Sequence, residues 1–67
     1  MDFDTDSEHM ERRLRDAGYY VARDGADHFR LYRTTTHRAW REAGQPQWWL
    51  TLLEALRYGY RRFVRNA

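Results

Sequence analysis

Asp24-Gly25 lies between two runs whose side chains alternate, Tyr19-Tyr20-Val21-Ala22-Arg23 and His28-Phe29-Arg30-Leu31-Tyr32-Arg33. Aromatic and branched residues at a period of two favour pleated strands, and Asp-Gly between such runs is the strongest short-range hairpin signal. With Asp24 and Gly25 as a two-residue turn, Arg23 opposes Ala26, Val21 opposes His28 and Tyr19 opposes Arg30. Opposed residues share a face. Tyr20, Ala22, Phe29 and Leu31 then form a core side, and Tyr19, Val21, His28, Arg30 and Tyr32 an aromatic and basic surface.

Before Gly18 the period is helical. Thr5 followed by Glu8 has the capping-box spacing, so a helix is expected to start near residues 5–7. Met10, Leu14 and Ala17 give it a narrow apolar stripe, and Gly18 is a natural stop. Residues 36–42 read either as a third strand with Trp40 turned inward or as a short helix capped by Thr35 or Thr36 and stopped by Gly44. The strand is the preferred reading, because a two-stranded sheet is marginal alone. Pro46 suits the first turn of a long second helix, along which Trp49, Leu52, Leu53, Leu56, Tyr60, Phe63 and Val64 follow a stripe. Gly59 interrupts that stripe at a cost of about 1 kcal/mol relative to alanine, which leaves residues 60–67 open as a separate tail.

These elements give a single α+β domain over residues 1–67: helix, three antiparallel strands, helix, with both helices on one sheet face and residues 1–6 as a flexible acidic arm. A chain of 67 residues buries only about 60% of the surface its unfolded form exposes, so its core is thin. Cysteine is absent, which rules out disulfides and thiolate zinc sites and fits a reducing cytoplasm. An acidic N-terminus lacks the basic segment of a secretory signal. The longest apolar stretch, residues 48–56, is interrupted by Thr51 and Glu54 and is far short of the roughly 20 residues that span a bilayer. Trp48-Trp49 beside a basic helix also fits a membrane-interface anchor, yet a small core needs the same rings; no membrane partner is expected. If the pair is helical, one of the two must face outward, which invites a partner.

Charge points to that partner. All twelve basic residues are arginines, and eight of them lie in two acid-free stretches, residues 28–41 and 55–67. Five acids fall in the first eleven residues, so the remainder carries five acids against twelve arginines, a net +7. Arginine binds phosphate bidentately and stacks on aromatic rings, although a GC-rich genome also writes arginine by default. Arg57, Arg61, Arg62 and Arg65 are sufficiently explained by the negative end of a helix dipole. Tyr19, Arg30 and Tyr32 on one strand face, with Arg23 across the hairpin and Arg33, Arg38 and Arg41 extending the patch, have the composition of a sheet that stacks bases and neutralises phosphates.

Residues 18–31 carry a glycine turn followed by a histidine, here Gly25 and His28. In this stretch the chain resembles the HicA-type mRNA-interferase toxins of toxin-antitoxin systems, and the run Thr51 to Gly59 is similar to the end of that family's last helix. The resemblance covers about a third of the chain. It implies a double-stranded-RNA-binding-like fold, a catalytic His28 and an antitoxin as protein partner. It departs from the family at Ala26-Asp27, at the third strand and in residues 60–67. Cleavage by internal attack of a 2′-hydroxyl needs a proton acceptor and a cation for the developing phosphorane charge, roles that His28 and Arg30 can fill without a metal. Asp24, Asp27, His28 and His37 match no ligand spacing, and no phosphate-cradling glycine loop or serine or cysteine nucleophile is visible. No cofactor is expected.

The expectation is therefore a small nucleic-acid-binding protein, RNA ahead of DNA, with a toxin-like ribonuclease as its enzymatic form. The alternative is a protein-interaction module, such as a small phage or mobile-element adaptor, or a surface for a second copy of the chain, since tyrosine and arginine also populate protein interfaces.

Overall fold

The hairpin forms, but three residues rather than two lie between its paired strands. In the computed structural model, which describes residues 3–25 and 27–66, strand β1 (Tyr19–Asp24) pairs antiparallel with β2 (His28–Arg33). The register is Tyr19↔Arg33, Val21↔Leu31 and Asp24↔His28. Gly25 takes the left-handed φ of 74°, whereas Asp24 stays in the strand. There its carboxylate reaches Arg30 Nη1 at 3.1 Å.

A shift of three residues is odd, so the faces of β1 are exchanged. Tyr19 and Val21, not Tyr20 and Ala22, share a side with Phe29 and Leu31. The physical preference is plain: a tyrosine and a branched valine cover more apolar surface than a tyrosine and an alanine, and Val21 lies opposite the fully buried Leu31. Arg23 and Arg33 close the two ends of this side with their guanidinium carbons 5.4 Å from the Phe29 ring centre and 5.6 Å from that of Tyr19.

Helix α1 (Phe3–Asp16) starts earlier than the Thr5 cap suggests, so residues 3–6 of the expected arm are helical, while residues 1 and 2 lie outside the described residues. Helix α2 (Leu52–Tyr60) starts six residues after Pro46. Its true N-cap is Thr51, whose hydroxyl accepts the Glu54 N–H at 3.1 Å and donates to Glu54 Oε1 at 2.9 Å. This closes the helix end that Pro46 was expected to begin. Residues 46–50 are not helical, and Trp49 exchanges two 2.8 Å backbone bonds with Phe29 on the outer edge of β2. Beyond Tyr60 the helix continues as a wider π-helical turn, Arg61–Arg65, not as a separate tail.

The expected third strand does not form. Residues 38–40 contribute one isolated bridge, Tyr32↔Ala39, with Trp40 N–H donating to Leu31 O at 2.7 Å. The β2 edge at Phe29 is already taken by Trp49, and a turn at residues 43–45, with Gly44 at a left-handed φ of 80°, leads the intervening chain away, so the pairing does not extend. Trp40 nevertheless faces inward, 4% exposed.

Leu14 of α1, Leu31 of β2, Trp40, Trp49 and α2's Ala55 and Leu56 make the core, with Phe63 and Val64 packed against it. At Gly59, α2 comes close to both α1 and β2. A Cβ there would lie 2.9 Å from Leu31 Cδ2 and 3.0 Å from Leu14 Cδ2, both methyls of fully buried side chains. Gly59→Ala should therefore destabilise by about 1 kcal/mol, overpacking outweighing the gain of about 1 kcal/mol that helix propensity alone predicts. Urea unfolding of the two proteins measures the sign, and a more stable variant would mean that the layers can separate freely.

Candidate nucleic-acid interface

With the helices on the Val21–Leu31 side, the other side of the hairpin presents Tyr20, Ala22, Asp24, His28, Arg30 and Tyr32. Tyr20 and Tyr32 are direct cross-strand partners, and their rings stack 5.5 Å apart at 18°. From α1, Arg15 places its guanidinium 5.8 Å from the Tyr20 ring centre. The Tyr20 hydroxyl and His37 Nδ1 share a 3.0 Å hydrogen bond.

Next along the face, Arg30 is bound to Asp24 and is only 17% exposed, while the Asp24 carboxylate is 48% exposed. Arg30 Nε is buried without a protein acceptor among the described residues. Burial, and next the Asp24 carboxylate, push the Tyr32 hydroxyl above the ordinary tyrosine range, with Arg30 opposing. At neutral pH that hydroxyl is therefore a protonated donor. At the His28 end, the imidazole stacks 4.1 Å from Trp48 at 28°, and Trp48 is 49% exposed. The outward tryptophan expected from a helix is thus found, but in a non-helical segment.

The structure brings together His28, Arg30 and Tyr32 on one face, as expected, and removes Tyr19 from it. Tyr19 stacks on Phe63, 3.9 Å between centres, on the core side. Arg23 and Arg33 go with it to that side, at the two ends of the sheet. Arg38 and Arg41 are exposed in the segment after β2. Tyr20, Arg15 and His37 are the residues that sequence reasoning missed. Tyr20 was legible, because assigning Val21 rather than Ala22 to the core exchanges the two tyrosines; Arg15 and His37 join the face only through tertiary packing.

Arg62 is held by both oxygens of Glu42 at 2.8 and 2.9 Å, which fixes the π-helical turn to the loop before Pro46 and withdraws one arginine from ligand binding. Among the described residues, no group of three histidine, cysteine or acidic side chains is placed to hold a metal ion, and no helix is long and apolar enough to cross a membrane. Comparison with protein-family models, curated proteins and solved structures finds no match to this chain.

Proposed function

We propose that the protein binds single-stranded RNA on the helix-free face of its hairpin, with unpaired bases stacking on Tyr20 and Tyr32. The observation that carries this reading is the near-parallel tyrosine pair, two flat rings at directly opposed strand positions, with Arg15 beside Tyr20 and the exposed Trp48 at the far, His28 end of the same face. Base stacking on such rings contributes about 1–3 kcal/mol per base and tolerates any sequence. The neutral Tyr32 hydroxyl and the exposed Asp24 carboxylate offer a donor and an acceptor to base edges. Arg30 serves the face as an anchored, half-neutralised cation, and phosphate contacts fall to Arg15, Arg38 and Arg41. A duplex, which hides base faces and is held through many phosphates, fits this arrangement less well.

Titration of labelled short RNA, single-stranded and as a duplex, at two salt concentrations tests the proposal. The single strand should bind more tightly, and log affinity should fall with log salt by about 0.7 for each phosphate neutralised. Equal or undetectable binding at low salt would reject it. In that case the second reading, a protein-interaction surface, stands on Leu50 and Leu52, which are 64% and 41% exposed beside Trp48. Cleavage of the bound strand would rest on His28, which lies two residues from Arg30 on the same face, and would disappear in His28→Ala while binding persisted.

A further inference from the structure

Among the described residues, His37 is the only non-glycine with a left-handed backbone, at φ 58°. That conformation is uncommon for a residue with a Cβ, although histidine enters it more readily than most. The turn explains why the chain must bend there: His37 N–H donates to Arg33 O at 2.8 Å and Arg33 N–H to Arg38 O at 2.9 Å. It does not explain why the residue is histidine. Glycine adopts the same conformation without a steric penalty, and the chain uses glycine at its other left-handed positions, Gly18, Gly25 and Gly44, at φ 101°, 74° and 80°.

What glycine cannot supply is the imidazole. Its Nδ1 is hydrogen-bonded to the Tyr20 hydroxyl, and its ring meets the Tyr20 ring edge-on, 5.9 Å between centres at 61°. Tyr20 is thereby gripped from three directions: by His37 at its hydroxyl, by Tyr32 across the strand pair and by Arg15 from α1. We infer that His37 is a positioning residue, which holds the Tyr20 ring parallel to Tyr32 before any ligand arrives. A ring already fixed loses no rotamer freedom on binding, so the face is pre-organised for adjacent bases. This inference rests on the reading of the face as a single-strand RNA surface.

Three variants test it: His37→Gly, Tyr20→Phe and the double variant. His37→Gly should melt within a few degrees of the parent, because relief of the left-handed backbone offsets the larger unfolded-state entropy of glycine. Its affinity for a short uridine-rich RNA should nonetheless fall about three- to tenfold, the effect of one hydrogen bond. Tyr20→Phe keeps the ring and removes the hydroxyl, so it should show the same fall, and the double variant no more than either. In the free protein, nuclear Overhauser contacts between the rings of residues 20 and 32 should weaken in both single variants. Undiminished ring contacts in His37→Gly, or parent-like RNA affinity, overturn the inference. So does a parallel drop in melting temperature and affinity, which identifies a turn residue with no separate role. If the parent protein binds no RNA, it is the reading of the face that fails. The ring contacts then decide alone whether His37 positions Tyr20.

Discussion

Replacing Trp40 with alanine should leave most of the chain unfolded at room temperature. The indole is 4% exposed and packs against Tyr58 and edge-on against Phe63, at centre distances of 5.8 and 5.5 Å. Emptying such a site costs about 3–5 kcal/mol. The single core of a chain of 67 residues rarely supplies more than about 3–5 kcal/mol, and no disulfide supports this one. The backbone around Trp40 offers little reserve, since residues 38–40 join β2 through a single bridge. Loss of the ring removes the main reason for that segment to lie there. Trp48→Ala is the matched control: its ring is 49% exposed and stacks on His28 rather than in the core, so its loss should cost about 1 kcal/mol or less. Near-ultraviolet circular dichroism and urea titration compare the two. Cooperative unfolding of Trp40→Ala with a loss below about 1 kcal/mol would mean that the core does not depend on the segment after β2.

The contrast between the two tryptophans also marks how far the sequence could be read. The order helix, hairpin, helix, the stop at Gly18, the inward Trp40 and the inward Phe29 and Leu31 follow from period, composition and punctuation, which are local properties of the chain. What escaped was settled by competition between segments. Asp24-Gly25 fits a two-residue turn by itself, but the register is set by the area that Val21 and Tyr19 bury against Leu31 and Phe63, and the Asp24–Arg30 pair fixes it further. Residues 36–42 alternate well enough to be a strand, yet Trp49 occupies the β2 edge they would need. For the second helix, Pro46 is the weaker start signal and the capping box Thr51-Leu52-Leu53-Glu54 the stronger, a pattern of the same kind as Thr5 with Glu8. Gly59 reads as a helix weakness by propensity and proves to be a contact point, because no local rule contains the two leucines that meet it.

The same exchange of faces yields the most discriminating functional test, since it assigns opposite roles to two adjacent tyrosines. Tyr20→Ala with Tyr32→Ala should reduce affinity for single-stranded RNA by about 30-fold or more. Each ring contributes about 1–3 kcal/mol of base stacking, and the two losses sum incompletely because the rings touch. The cost to folding should be smaller than for a core ring, about 1–2 kcal/mol, since the two rings are a half-buried cross-strand pair. Tyr19→Ala should do the reverse. Its ring is stacked on Phe63 on the core side, so its loss lowers stability by about 2–4 kcal/mol and leaves the affinity of the folded fraction unchanged. Arg38→Gln with Arg41→Gln should give a third pattern, a shallower salt dependence with little loss of stability, because phosphate contacts carry the salt term and stacking does not. Fluorescence titration at two salt concentrations, paired with urea unfolding of each variant, separates the three. RNA affinity lost with Tyr19 and retained without Tyr20 and Tyr32 would place the ligand on the helix side of the sheet, where Arg23 and Arg33 lie, and would overturn the assignment of the face.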